Sequence, residues 1–134
     1  MAIHKNFSQN PFEILVPEER WFPADEILRE KGYQKLLPPL VDKIRREVKK
    51  FRDDNYKGAS QTSKSLLKYW FQTKKNLNGN EFNYYFAQRE SLETLIYLVE
   101  VAKIESKHDL LKYSSTDELE ESMFEEDWLR LVIK

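Results

Sequence analysis

The chain has 134 residues, of which 40% are hydrophobic and 13% aromatic; this allows one core of ordinary size and argues against two independent domains. It contains no cysteine, which excludes a disulfide framework, a thiolate zinc site and a cysteine nucleophile. Its net charge is only −1, but the charges are unevenly distributed. Residues 31–80 carry 13 Lys and Arg against four acidic residues, and residues 90–127 carry three Lys against 12 acidic residues. This distribution predicts a polarised molecule with one end able to approach a polyanion.

Residues 1–30 are predicted to form an extended N-terminal arm. Regular helix is excluded up to about residue 24 because proline fixes φ and lacks an N–H group. The prolines concerned are Pro11, Pro17 and Pro23. We expect the arm to lie across the rest of the protein, with Trp21 and Phe22 as anchors and the apolar run FEILV as a short extended piece. A poorly ordered terminus is the alternative.

Residues 31–80 are predicted to form a basic helical module. Pro38 and Pro39 suit the first turn of a helix, and apolar residues follow at helical spacing to about Asp53. These residues are Leu37, Leu40, Val41, Ile44, Val48 and Phe51. The segment YKGAS indicates a turn around Gly58.

A second helix is predicted to start at a cap formed by Thr62 or Ser63. Its apolar face consists of Leu66, Leu67, Trp70 and Phe71. The segment NLNGN, residues 76–80, indicates a turn that ends this helix.

A third helix is predicted from about Tyr84 to about Lys103. One side of it carries Phe86, Leu92, Leu95, Ile96, Val99 and Ala102. Leu98 and Val101 widen this stripe, so we expect much of the helix surface to be covered and the helix to be central.

The C-terminal part is predicted to contain a polar connection, a short acidic helix and a strand. The connection spans residues 105–116, and Ser115 or Thr116 caps the helix, which runs through Glu121. In the final segment WLRLVIK, apolar and other side chains alternate, as is typical of a strand with one apolar face. An exposed apolar strand edge favours self-association. The predicted fold class is therefore mainly α, with a C-terminal β-strand and an extended N-terminal arm.

Few residues of this chain are suited to catalysis. His4 and His108 are its only histidines and lack metal-ligand spacing, and three isolated glycines do not form a phosphate-binding loop. The acidic run DELEESMFEED is more typical of a solvated face than of a metal site. We therefore predict no catalytic and no metal-binding residues. The N-terminus lacks a signal-peptide pattern and no run of ~18 apolar residues occurs, so a cytoplasmic protein without a membrane segment is expected.

The first helix carries cations that could contact nucleic acid through phosphate groups. These residues are Lys43, Arg45, Arg46, Lys49, Lys50 and Arg52. A plain solvated face is the alternative interpretation. Aromatic and basic residues also alternate in KYWFQTKK, but Trp70 and Phe71 fit the apolar stripe of the second helix and are assigned to packing.

Four segments together cover most of the chain: NPFEILVPEERWF, PPLVDKIRREVKKFR, YKGASQTSKSLLKYWF and FNYYFAQRESLETLIYLVEVA. They resemble the N-terminal region of superfamily-two helicases, and most of all that of the Res subunits of type III and DEAD/DEAH-box restriction endonucleases. The most specific part is a Phe-x-Gln-x-Glu helix. The residues of this chain that match the family pattern there are Phe86, Gln88, Glu90, Glu93, Thr94, Ile96 and Tyr97. Ser91 and Leu92 depart from the Ala and Ile or Val that are usual there.

The resemblance implies that Gln88 reads the adenine edge of ATP and that a nearby aromatic residue, Phe86, stacks on the base. It also implies that residues 81–134 start a RecA-like motor domain, whose first strand is WLRLVIK and whose Walker A loop would follow. The chain would then be an N-terminal fragment of an ATP-dependent DNA helicase or translocase. The complete protein would be a hydrolase that binds ATP and Mg. This fragment alone would bind neither. The implied partners are the rest of the motor domain, duplex DNA and a DNA methyltransferase subunit.

The residue chemistry is compatible with the role that the resemblance gives to Gln88. A side-chain amide carries both a donor and an acceptor, the pair that adenine N7 and its N6 amino group require. An ordinary polar residue near a helix start is the alternative. Two other functions stay open at this point: a stand-alone helical nucleic-acid-binding or adaptor protein, and a structural cap without a ligand.

Overall fold

A computed structural model of the chain describes residues 10–17 and 40–114. This part is mainly helical and includes a small two-stranded sheet, so the prediction of a mainly α protein is confirmed. Three predicted features lie outside the described residues: the anchors Trp21 and Phe22, the acidic helix through Glu121, and the strand of residues 128–134.

Helix α1 spans Val41–Asp53 and ends where predicted; Pro38 and Pro39, predicted in its first turn, lie outside the described residues. Its apolar side chains recur at helical spacing, and Val48 and Phe51 are buried. The chain then turns sharply: Asn55 and Tyr56 have left-handed backbones with φ of 53° and 61°, and Gly58 has φ of 96°. Left-handed geometry is uncommon for a bulky residue such as Tyr56 and indicates backbone strain held by its surroundings.

Helix α2 spans Gln61–Phe71 and begins earlier than predicted. Its cap is Ser60, whose hydroxyl oxygen accepts a hydrogen bond from the Ser63 N–H at 3.1 Å. The predicted cap at Thr62 or Ser63 is therefore wrong, because Ser60 already satisfies the helix N-terminus from an extended conformation. Leu67 is fully buried on the inner face of this helix.

A β-hairpin follows where only a turn was predicted. Strand β1, Lys75–Leu77, pairs antiparallel with strand β2, Asn80–Phe82. The connecting residues Asn78 and Gly79 have φ of 52° and 82°, and two consecutive positive φ values match the twist of a tight hairpin. The polar sequence NLNGN thus forms strand and turn together.

Helix α3 spans Phe86–Ile96 and continues as a π-helix over Tyr97–Val101. The wider turn shifts the faces of the helix, so Val99, predicted on the buried side, is exposed. A 3₁₀ helix, Lys107–Tyr113, occupies most of the predicted polar connection. The Asp109 carboxylate accepts hydrogen bonds from the N–H groups of Glu105 and Ser106 at its start.

Two hydrophobic clusters meet along α3 and its π-helical continuation. The first is centred on Phe51, Tyr56, Ala59 and Leu67, and the second on Leu98, Ile104 and Tyr113. Tyr97 packs against both clusters, which agrees with a central third helix.

The described piece of the N-terminal segment, residues 10–17, contacts the start of α3. The Phe86 N–H donates a hydrogen bond to the Pro11 carbonyl oxygen at 2.7 Å. The rings of Phe12 and Tyr85 lie 5.1 Å apart, centroid to centroid. Pro17, further along, is buried. The bond to the Pro11 carbonyl satisfies the Phe86 N–H, one of the N-terminal N–H groups that lack a hydrogen-bond partner within the helix.

Candidate functional site

Gln88 lies in the first turn of α3 with its side chain exposed. Its Oε1 accepts a hydrogen bond from the Tyr85 N–H at 3.0 Å. This contact satisfies a donor at the helix start and also restricts the rotamers of the amide. Gln88 is therefore a helix-capping residue whose amide faces solvent in a defined orientation.

Phe86 lies in a different environment, with only 8% of its surface exposed. The guanidinium carbon of Arg52 sits 5.1 Å from the centroid of its ring, a cation–π distance. The rings that face solvent beside Gln88 are Tyr85 and Phe12, which are 50% and 49% exposed. In this structure these two rings, rather than Phe86, present surface on which a planar ligand could stack.

A buried ion pair joins α1 to α3. Glu93 is completely buried, and its two carboxylate oxygens each accept from the Nε of Arg52 at 3.0 Å. The Tyr56 hydroxyl donates to Oε2 of the same carboxylate at 2.9 Å. Burying a carboxylate is costly unless its oxygens accept hydrogen bonds. Here the Arg52 Nε–H, shared between the two oxygens, and the Tyr56 hydroxyl donate them.

Two further charged residues complete this polar network. The Arg89 Nη2 donates to the Tyr56 hydroxyl at 3.2 Å, and the Arg89 Nε lies 3.4 Å from Glu93 Oε1. The Nη2 of Arg52 lies 3.5 Å from Glu90 Oε1. The network therefore contains two arginines and two glutamates, so its formal charges balance.

Tyr56 is held at the centre of this network. Burial, reinforced by the negative charge of Glu93, raises its pKa to about 12. The Tyr56 hydroxyl thus stays protonated. It donates a hydrogen bond to Glu93 and accepts one from Arg89. These bonds and the contact of its ring with Phe51, at 5.1 Å between centroids, offset the strain of its left-handed backbone.

Sequence reasoning missed the buried role of Glu93. One signal could have found it: Glu93 follows Phe86 by seven residues, two helical turns, and so shares the buried face of α3. A lone acid on an apolar face requires a buried partner. Its partner Arg52 is 41 residues away, which the helical pattern alone does not reveal.

The six predicted nucleic-acid-binding cations do not form one surface. Arg52 is buried in the ion pair with Glu93, and its charge is matched within the protein. Lys43, Arg46, Lys49 and Lys50 line a groove of about 710 Å³, together with Lys112, Glu47, Tyr97 and Tyr113. Arg45 is half-buried on α1.

The groove cations already contact groups of the protein. Lys43 donates to the Ser114 carbonyl oxygen at 2.7 Å. Arg46 pairs with Asp42, Lys49 with Asp53 and Lys50 with Glu47. The exposed pairs of Lys49 and Lys50 are weak and are screened by salt, so they leave these two lysines able to exchange partners, whereas Asp42, the partner of Arg46, is buried.

Within residues 10–17 and 40–114, no group of three or more metal-ligating side chains occurs, and no helix is long and apolar enough to cross a membrane. Comparison of the chain with family models, with curated proteins and with solved structures found no match.

Proposed function

We propose that the chain is the N-terminal part of an ATP-dependent DNA helicase or translocase subunit of a restriction system, in which Gln88 contacts the adenine of ATP. The observation that carries this proposal is an exposed amide, oriented by the Tyr85 N–H, at the start of helix α3, which buries Phe86 and Glu93 against the rest of the protein. The RecA-like motor domain belongs to this proposal and would begin with residues 81–134.

The bond to Tyr85 leaves Gln88 able to read a purine. A carbonyl oxygen has two lone pairs, so Oε1 can accept a second hydrogen bond from the adenine N6 amino group. The Nε2 group would donate to adenine N7. Because one lone pair is already used within the protein, the amide is held with its oxygen and nitrogen in fixed places, which reduces the entropy lost on binding.

The ion pair of Arg52 and Glu93 supports the same role. Glu93 follows Gln88 by about one and a half turns of α3, so the helix that carries the amide is fixed to α1 close to the proposed contact. A binding group is effective when its supporting residues hold it to a fraction of an ångström. The base would stack on Tyr85 or Phe12, the rings exposed nearby.

The test measures the KM for ATP of the complete protein, with the motor domain present. Replacement Gln88→Glu keeps an oxygen acceptor for the Tyr85 N–H but removes the amide donor, so it separates adenine recognition from helix capping. We expect the KM for ATP to rise roughly 5- to 150-fold, the range for one bidentate base contact. Gln61→Glu, at the exposed start of α2, is the matched control.

Thermal melting of each variant shows whether the fold is intact. An unchanged KM for ATP in a folded Gln88→Glu protein would remove the adenine role. A rise of equal size for GTP would show that the effect does not depend on the adenine edge.

The groove beside α1 favours a second candidate, a stand-alone module that binds duplex DNA. Five cations line it against one acid, Glu47. Phosphate binding by several cations makes the logarithm of affinity fall linearly with the logarithm of salt concentration, by about 0.9 per phosphate neutralised. We expect Lys49→Ala to reduce the magnitude of this slope by about 0.9, the contribution of one phosphate. Lys57→Ala, in the turn after α1, should leave the slope unchanged. Absence of duplex binding at low salt would reject the candidate.

A further inference from the structure

One side of the β-hairpin, with the end of α2, exposes aromatic rings around lysine side chains. We call this surface the aromatic face; it consists of Tyr69, Trp70, Lys75, Leu77, Phe82 and Tyr84. Together with Thr73, Lys74 and Asn76, these residues line an open cavity of about 530 Å³. Gln88 and the groove of α1 do not contribute to it.

Two rings of the aromatic face are open to a ligand. Tyr69 is 58% exposed and Phe82 is 38% exposed. The Lys75 Nζ sits 4.3 Å from the centroid of the Tyr69 ring and donates to the Trp70 carbonyl oxygen at 3.2 Å. A cation held on one side of a ring fixes its orientation and leaves its other side available for stacking.

The aromatic face is anchored to the core by a series of ring contacts. Phe82 meets Tyr84 edge to face at 5.0 Å, and Tyr84 meets Phe71 in the same way at 5.6 Å. Phe71 in turn packs against the hydrophobic cluster that contains Leu67. Edge-to-face pairs stabilise beyond simple area burial, so the exposed rings stand on a supported base.

The charge around the aromatic face is positive. Residues 61–80 contain four lysines and no acidic residue. The hairpin register pairs Lys75 with Phe82 and Asn76 with Glu81. Side chains alternate along a strand, so Lys75 and Phe82 share one face of the hairpin, and Glu81 does not line the cavity.

We propose that the aromatic face binds single-stranded nucleic acid. Bases would stack on Tyr69 and Phe82, and the backbone phosphates would lie beside Lys74 and Lys75. This combination of supported rings and cations, with no acidic residue in the lining of the cavity, matches the two requirements of a strand whose bases are unpaired. Duplex bases do not offer their faces to such rings, and a hydrophobic protein partner would gain nothing from the lysines.

The proposal does not rest on the adenine contact of Gln88, and the two can fail separately. It is tested by fluorescence anisotropy of a labelled oligothymidylate of about 12 nucleotides at about 50 mM salt, with the full chain. An abasic strand of the same length carries the same phosphates without bases. We expect the abasic strand to bind at least roughly 5-fold more weakly than oligothymidylate, because stacking is lost.

Variants of the full chain locate the site. Tyr69→Ala and Phe82→Ala should each weaken oligothymidylate binding roughly 5- to 150-fold, and Tyr69→Phe should keep it because the ring remains. Leu66→Ala, an exposed apolar position on the same helix but outside the face, should have no effect. Lys74→Ala should lower the salt slope by about 0.7, and Lys57→Ala should not.

Three results would overturn the proposal: no binding of oligothymidylate at low salt, equal binding of the abasic strand, or unchanged binding by both alanine variants of the rings. Duplex DNA that binds as tightly as the single strand would also contradict it. Circular dichroism of each variant shows whether a loss of binding reflects unfolding, and retained binding by Tyr69→Phe guards against that explanation.

Discussion

Removal of the Glu93 carboxylate should destabilise the protein more than removal of any exposed acid. In Glu93→Ala, Arg52 loses its hydrogen-bond acceptor, Arg89 loses the carboxylate with which it forms an ion pair, and the Tyr56 hydroxyl loses the oxygen to which it donates. The Arg52 side chain is only 5% exposed, so water does not replace the lost partner. The cost is therefore dominated by a buried cation that loses its contacts with both oxygens of Glu93 and keeps the longer contact of 3.5 Å with Glu90.

The expected loss of unfolding free energy is about 3–5 kcal/mol, the range for breaking a buried ion pair from one side. The total stability of a domain is about 5–15 kcal/mol, so the variant would lose a large part of it. Urea denaturation followed by circular dichroism measures the change as a shift in midpoint at constant slope. The matched control is Glu105→Ala, whose exposed side chain should change stability by less than about 0.5 kcal/mol.

A second replacement tests the reason for the loss. In Arg52→Met with Glu93→Leu, apolar side chains of similar length replace both members of the pair, and part of the lost stability should return, because Arg52 no longer remains buried without Glu93. Arg89 and Glu90 lose their contacts with the pair and limit this gain. A Glu93→Ala variant as stable as the control would refute the argument. So would a double variant no more stable than Glu93→Ala.

Three further outcomes are expected from urea or thermal unfolding. The pKa of Tyr56 is raised to about 12, so its contribution to stability is complete below its ordinary pKa of 10.0 and is lost as pH rises through 12; Tyr56→Phe should flatten this alkaline decline. Hydrogen bonds from Ser63 and Ser60 lower the pKa of Glu100, so Glu100→Gln should cost about 0.5–1 kcal/mol at neutral pH, and the difference should vanish as pH falls below 4.5. Gly58→Ala should cost about 1–2 kcal/mol because its φ is 96° and the new Cβ would lie 3.4 Å from a side-chain carbon, and Gly79→Ala, with no atom within 4 Å, should cost less.

The helices could be predicted because their signals are local. Apolar residues at helical spacing lie within the element they define, and the paired prolines lie within a few residues of the start of α1. The cap of α2 was misplaced because several hydroxyl residues lie in series, and only the structure shows that Ser60 reaches the Ser63 N–H. The hairpin was missed although Asn78–Gly79 is a strong turn signal, because its strands are only three residues long and show little alternation.

The candidate sites depend on contacts between distant parts of the chain. Gln88 could be placed at a helix start, and its bond to the Tyr85 N–H is local, but the burial of Phe86 follows from the packing of the N-terminal segment and of Arg52 on α3. Assignment of the second helix's rings to packing holds for Phe71, which joins the core. It overlooked Tyr69, whose exposure depends on where the hairpin lies.

The two proposed ligand sites are supported by different kinds of interaction, and this makes them experimentally separable. The start of α3, with Gln88, is fixed by the polar network of Glu93, whose strength depends on charge and geometry. The aromatic face is fixed mainly by ring contacts that end at Phe71, and a cation–π contact of 5.5 Å between Arg89 and the Phe71 ring links it to that network. Loss of Glu93 should therefore loosen the proposed adenine contact before it disturbs stacking on Tyr69, provided that the variant is studied at a temperature where it remains folded.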